Sequence, residues 1–583
     1  MERTLALMLL SLCSLPVARG ATADEQFRRF LQTEWQHRLN RSPELAVSLG
    51  HPGYAHRWSD HSEAQIARDK ARRRDALTRL QAIDRAALPD KQKLNYDLYL
   101  KNLQDAKRGE RFPDEWLVLS PMGGIHTSIP THLQRLPAKT RADYDALLEK
   151  LRGIPQVLRD NMALLKKGLA RGVTPPAVTL PGLTAQMDAL LEQDPAKNPV
   201  LKPFHPMPAD LDPAIADKLQ RQAAGILSAE LLPAFRQLRD YFTGTYLPGA
   251  RKTLSASSLP DGKAWYAHQV RMMTTTDLTP EAIHNIGLAE VKRIRGLMQG
   301  IMKETGFRRE LPEFFRYLRE DPRFYYKTRE ELLDAYRIAG KKADYGLVRL
   351  FGRLPRLPWG VEPIPAWKEK TDAAARYFPG NLKAGQPGIF YANTWKPEAR
   401  PKWEVEVLTL HEAVPGHHLQ IALAREQEDL PPFRQHSHYT AFVEGWALYA
   451  ESLGKELGLY QDPWSRFGQL NFEIWRAIRL VLDTGIHSRG WTRQQAVDYF
   501  VANSASSRTN IEAEVNRYIS WPAQALAYKI GQLRIKALRD RAQKEMGAGF
   551  SIRDFHDALL KEGALPLDIL EKRMLTWIRG RHS

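Results

Sequence analysis

Histidine and glutamate crowd into one short run of this chain, Leu408-Thr-Leu-His411-Glu412-Ala-Val-Pro415-Gly416-His417-His418-Leu-Gln420. Its outline is the zinc-peptidase signature His-Glu-x-x-His, with Pro415 and Gly416 added ahead of the second histidine. The unmodified signature depends on helix geometry. Histidines four residues apart share a face and a Zn²⁺, and the glutamate after the first becomes general base for the metal-activated water. On an unbroken helix His417 would stand about 240° round from His411, while His418 would return to the same face about 10.5 Å further along. Proline removes a helix hydrogen bond and clashes with the preceding turn, and glycine relaxes the backbone further. A kink or bulge is therefore expected, absorbing two residues and returning His417 to the place of the i+4 histidine. His411 and His417 are the expected ligands, with His418 as the alternative. Val407, Leu408, Leu410, Leu419, Ile421 and Ala422 surround them, and ionisable groups in so apolar a run call for partners or a metal.

A catalytic zinc site takes three protein ligands and leaves one position for water. The third is expected from Phe442-Val-Glu444-Gly-Trp446-Ala-Leu-Tyr449-Ala-Glu451, an apolar helical run holding two carboxylates. Glu444 is the expected ligand. Glu451, two turns on, either hydrogen-bonds a ligand histidine or pairs with Arg476 or Arg479. Peptide hydrolysis also needs a donor for the oxyanion, for which Tyr528, Tyr518 and His487 are candidates. A substrate carboxylate needs a cation, and Arg517 and Lys529 are the nearest choices. Arg479, Asp483 and His487 stand at i, i+4 spacing and could equally form an exposed ion-pair row.

The elements that must position these residues read as helices. Residues 27–39, 64–83, 91–103, 142–167 and 215–247 carry apolar residues at three- and four-residue spacings, and Thr279-Pro280-Glu281 starts another helix. Pro121 to Thr127, Gly172 to Gly182 and Asp194 to Pro213 read as loops. Gly388-Ile-Phe-Tyr391-Ala-Asn-Thr-Trp395 is the best strand candidate. As an edge strand beside the zinc helix it would hold an extended peptide through main-chain hydrogen bonds, with Tyr391 facing substrate; as an ordinary strand it would belong to a small sheet. The expectation is a mainly helical body in two lobes, residues 21–275 and 276–583, forming one unit with a small sheet near the metal site.

Composition bounds the rest. The chain has 583 residues, 43% hydrophobic and 26% charged, with a net charge of +18. Its basic residues are scattered along helical patterns, which points to a solvated surface and away from nucleic acid. Residues 1–20 read as a signal peptide: Arg3, an apolar run from Leu5 to Val17, and a small-x-small site at Ala18-Arg-Gly20. The apolar run is short for a membrane span, so a periplasmic or secreted protein is expected. A lipoprotein is disfavoured because Leu12 precedes Cys13 where a small residue belongs. Cys13 is the one cysteine, so after cleavage no thiolate remains and a zinc site must use histidine and carboxylate.

His-Glu-Ala-Val-Pro-Gly-His-His-Leu-Gln, Phe-Val-Glu-Gly-Trp-Ala-Leu-Tyr and Arg517-Tyr518-Ile-Ser-Trp-Pro522-Ala-Gln524-Ala-Leu-Ala-Tyr528-Lys-Ile-Gly531 together resemble the bacterial family filed as domain of unknown function 885. Asp483-Thr-Gly-Ile-His487 and the Gly388–Tyr391 stretch match it too, so the likeness covers most of residues 385–535. The family has glycine where Ala523 stands. In ligand order it is similar to the helical Glu-zincin peptidases of the angiotensin-converting and thimet oligopeptidase kind, nearly all-helical bodies split by a deep channel with zinc on its floor. The resemblance implies a zinc-dependent metallopeptidase cutting short peptides, with two lobes around such a channel. The other reading is a catalytically inactive periplasmic peptide- or envelope-binding protein on that scaffold, which would have no use for Glu412.

Overall fold

A computed structural model of the chain describes residues 21–366, 369, 373–382 and 385–581. The expected signal segment and Cys13 lie outside them. The fold is mainly α, 67% helix against 4% strand, as the apolar periodicity demands.

Three of the four apolar cores among the described residues organise most of the helices. Phe27, Leu80 and Tyr96 centre a small one in the first hundred residues. A second gathers on the helix Arg141–Ala170, whose Leu147, Leu151, Ile154, Leu158 and Leu165 form one stripe against Phe235 and Phe242. The third and largest holds the chemistry, and Tyr266 and Val270 of the helix Gly262–Thr274 already belong to it. Pro121 to Thr127, expected as a loop, instead closes a two-strand turn (Leu119–Ser120 with Gly123–Gly124) and starts the helix Ile125–Leu133.

The axis of the large core is the helix Pro463–Arg489. Asp462 caps it by accepting from the backbone N–H of Trp464 and Ser465, Pro463 fills the first position, and Gly490 ends it in the left-handed region. Nearly every residue from Phe467 to His487 is buried, including Glu473, Arg476, Arg479 and Asp483. The exposed ion-pair row at Arg479, Asp483 and His487 therefore does not exist. Each of these groups has a buried partner of its own instead: Arg479 pairs with Glu514 at 3.0 Å, and Asp483 accepts from the Tyr266 hydroxyl at 2.6 Å. Beside this axis, the helices Thr440–Glu451 and Leu526–Met546 cross backbone to backbone at Gly445 and Gly531, where a Cβ on either would strike the other chain.

The expected strand is real over Gly388–Ala392, but it is the centre of a three-stranded sheet. Trp359–Pro363 runs parallel on one side and Ala375–Phe378 antiparallel on the other. With both edges paired, Gly388–Ala392 cannot receive a substrate strand. The edge packed against the helix Val405–Glu412 is Ala375–Phe378, four residues long and too short to show a period in sequence.

Two expected outcomes follow from these environments. Ala523 sits at φ 67°, donating its N–H to Asp483. A left-handed alanine costs energy that glycine avoids, so Ala523→Gly should stabilise by roughly 0.5–1 kcal/mol, read as a higher urea midpoint. His556 accepts from Tyr449 at 2.8 Å and donates to the Leu350 carbonyl at 2.8 Å, and His487 is likewise enclosed. Burial lowers their pKa values to about 3 and about 4. The unfolded chain, with ordinary histidines, takes up more protons than the fold below pH ~6.5. Stability should therefore hold above that pH and fall toward pH 4, by up to ~1.4 kcal/mol per pH unit for each group.

Candidate metal centre

The helix carrying His411 stops at Glu412. Ala413 leaves helical geometry (φ −100°, ψ −108°), the Val414–Pro415 peptide is cis, and a new helix begins at His417. The expected kink or bulge is thus a complete break. Pro415 has no N–H to continue the ladder. Gly416 lies against the carbonyl oxygens of Leu410 and His411, where any Cβ would collide. The Trp446 indole donates to the Pro415 carbonyl at 2.8 Å, which ties this turn to the helix bearing Glu444.

The break brings the His411 and His417 rings to 4.8 Å at 83°. Glu444 Oε2 is 3.5 Å from His411 Nε2 and 3.4 Å from His417 Nε2. Those separations exceed a good N–H···O bond, and Oε2 is buried without a hydrogen-bond partner. They match the ~3.3–3.4 Å edge of a tetrahedron whose metal–ligand bonds are about 2.0–2.1 Å. All three donor atoms lie within 4.8 Å of one another. Two imidazoles and a carboxylate in this spacing could hold a zinc ion.

His411 Nδ1 donates to Glu451 Oε1 at 2.8 Å, and Arg476 stands 3.3 Å behind that carboxylate. Both expectations for Glu451 therefore hold together. The bond directs Nε2 of His411 at Glu444. Burial alone would depress His411, but Glu444 and Glu451 outweigh it and raise its pKa to about 9. Glu444, despite burial, is held well below the usual carboxylate range by His417 and His411. A cation entering here must displace a proton.

Glu412 follows His411 at the end of the helix, 8% exposed, and no hydrogen bond engages its carboxylate among the described residues. The Tyr528 hydroxyl accepts from Arg517 at 3.0 Å and Gln524 at 3.3 Å, so its own proton must point away from both. Burial lowers the pKa of Arg476, while Glu451, Tyr528 and Glu444 oppose it.

Several sequence candidates stand elsewhere. His418 accepts or donates at both ring nitrogens, to the Tyr377 hydroxyl at 2.9 Å and the Leu357 carbonyl at 3.1 Å, so it fastens the helix to the sheet and is not the alternative ligand. His487 is not an oxyanion donor, because Ala256 N–H and the Tyr518 carbonyl occupy its two nitrogens. Tyr518 cannot meet substrate: its ring is fully buried and its hydroxyl accepts from Trp475 and Arg479. Arg517 is taken up by Glu514, Gln524 and Tyr528, and Lys529 by Glu290 and Glu473. Neither is free to meet a carboxylate. Tyr391 stands opposite Arg376 across the sheet, on the strand next to the one that packs against the Val405–Glu412 helix.

His438 is not among the expected site residues. It is exposed in a cavity of about 750 Å³ lined by Leu31, Trp35, Tyr99, Met273 and Phe433. Burial lowers its pKa, with Glu444 opposing and His417 assisting. A second cavity of about 720 Å³ shares Arg73, Ala106, Met272 and Met273 with the first. The two cavities therefore adjoin. The only sequence signal for His438 was its place six residues ahead of Glu444 in a polar His-Ser-His step.

Residues 43–574 match the family described as "Bacterial protein of unknown function (DUF885)", and the chain belongs to it. No curated protein matches the sequence. A crystal structure described as "the putative lipoprotein from Colwellia psychrerythraea" is similar over 96% of this chain and 100% of its own, with 26% identity and a TM-score of 0.91. "A putative lipoprotein of unknown function from Shewanella oneidensis" shares the fold at 17% identity and a TM-score of 0.71, covering 95% of this chain and 100% of that one.

The triad makes a sharp expectation. His411→Ala and His417→Ala should each lose tight binding of one zinc equivalent in metal analysis. His418→Ala should keep it while lowering thermal stability by ~1–3 kcal/mol, the cost of leaving its partners unsatisfied. Zinc lost from the last variant alone would misplace the centre.

Proposed function

We propose that this protein is a zinc-dependent peptidase acting on short peptides outside the cytoplasm. The observation that carries the reading is the orphaned Glu444 Oε2, buried between two imidazole Nε2 atoms at metal-ligand spacing, with a carboxylate free beside it at Glu412. Its likeness in ligand order to the helical Glu-zincin peptidases supports the same reading. The lipoprotein descriptions of the two structural relatives support an extracytoplasmic place. Among the described residues no helix is long and apolar enough to cross a membrane.

Zinc held by His411, His417 and Glu444 would supply a Lewis acid that polarises the scissile carbonyl and makes water acidic near neutral pH. Glu412 takes a proton from the attacking water and returns it to the leaving amine. Unengaged by other groups, it is free to do both. Tyr528, its oxygen already accepting two hydrogen bonds, turns its O–H toward the developing oxyanion, and His438 supplies a second polar group at the cavity side. Glu451, with Arg476 behind it, keeps His411 oriented. The cavity that His438 lines is the side from which substrate enters in this reading.

Glu412→Gln tests this. The variant should fold normally, retain its zinc, and cleave a mixed short-peptide library at least ~10²-fold more slowly. Glu444→Gln should instead shed zinc. Zinc-loaded wild-type protein that cuts no peptide would leave the binding-protein reading in its place.

A further inference from the structure

The cation that a peptide substrate's carboxylate would need is missing from where the sequence offered it, since Arg517 and Lys529 are consumed by buried carboxylates. A different arginine stands free. Arg135 follows the helix Ile125–Leu133, whose Ile129 and Leu133 are anchored in the second core. Its guanidinium lies 4.5 Å over the ring of Phe378, on the edge strand that packs against the Glu412 helix. Among the described residues the Arg135 side chain makes no hydrogen bond or ion pair, and it reaches solvent.

The sheet face under it is polar. Residues two apart on a strand share a face, so Arg376 accompanies Phe378, and Tyr391 stands directly opposite Arg376 in the antiparallel register. Two guanidinium groups thus approach one patch from different halves of the chain. Burial and the Arg135 charge pull Arg376 below its usual range, while Glu412 and Tyr391 oppose them. Arg376 has contacts of its own. Glu362 stands across Tyr391 in the next strand yet pairs with neither arginine among the described residues. Like charges converging on a sheet face that packs against the Glu412 helix, with Tyr391 in the same register, favour an anion at the unpaired Arg135 side chain.

We propose that Arg135, with Arg376 and Tyr391 beside it, forms a carboxylate-binding subsite that selects peptides ending in a free C-terminal carboxylate. Its part in selecting substrates rests on the peptidase reading; the binding itself does not. Because Arg135 belongs to the N-terminal half and its partners to the sheet, the subsite exists only across the junction of the two.

Binding to the zinc-loaded Glu412→Gln protein, measured by calorimetry, separates the two ideas because it needs no turnover. The probes are N-acetyl-tetraalanine as free acid, the same peptide as C-terminal amide, and N-acetyl-trialanyl-glutamate amide. The free acid should bind at least ~10-fold more tightly than the alanine amide, the range of a charge-assisted pair. Arg135→Gln in the same background should bring the two affinities together, and Arg135→Lys should keep most of the difference. A glutamyl amide as tight as the free acid would assign the carboxylate to a side chain and overturn the C-terminal selection. Equal binding of acid and amide, or binding of neither, would overturn the subsite altogether. If the free acid is preferred while wild-type protein cleaves nothing, the subsite stands and the peptidase reading falls.

Discussion

A carboxylate oxygen buried between two imidazole nitrogens sets the terms for the middle of this protein. Glu444 Oε2 has no hydrogen-bond donor, and an ionised group left so would cost several kcal/mol. Its surroundings answer in layers. His411 and His417 face it, Glu451 fixes His411 from behind, and Arg476 balances Glu451. The Trp446–Pro415 hydrogen bond holds the interrupted helix at the distance that makes this possible.

The same logic explains why the core helix Pro463–Arg489 carries so many charges. Arg476 serves Glu451, Arg479 serves Glu514, and Glu473 takes both Lys529 and Arg293. Removing one member of such a buried pair leaves the other uncompensated, typically at ~3–5 kcal/mol. Their benefit is fixed direction: Arg479 and Arg517 clamp Tyr528 from two sides, one on its ring and one on its hydroxyl. The N-terminal helices complete the surroundings. Buried Arg434 joins Asn95 to Glu562, and Trp35 and Tyr99 line the cavity that also exposes His438.

The sequence by itself determined the helical class, because apolar residues at three- and four-residue spacing leave few other folds. It also determined the metal candidates. His411, His417, Glu444 and Glu412 stand out as ionisable residues in apolar runs, and one strand showed itself by alternation at Gly388–Ala392. Local chemistry was enough wherever the signal lay within one element.

Only the tertiary structure decided the rest, and the reason is distance along the chain. Whether His418 is a ligand depends on Tyr377 and Leu357, which occupy its two nitrogens from the sheet. Whether His487 and Tyr518 can reach substrate depends on Ala256, Trp475 and Arg479 enclosing them. The strand expected at the edge became the centre once two short neighbours paired with it. Arg135, whose side chain has no ion pair among the described residues, lies more than two hundred residues before the metal motif and meets the sheet only in the fold. Spacing within a helix or strand is a property of the local backbone, but a partner's presence, and so a side chain's freedom to act, is settled only when distant segments pack.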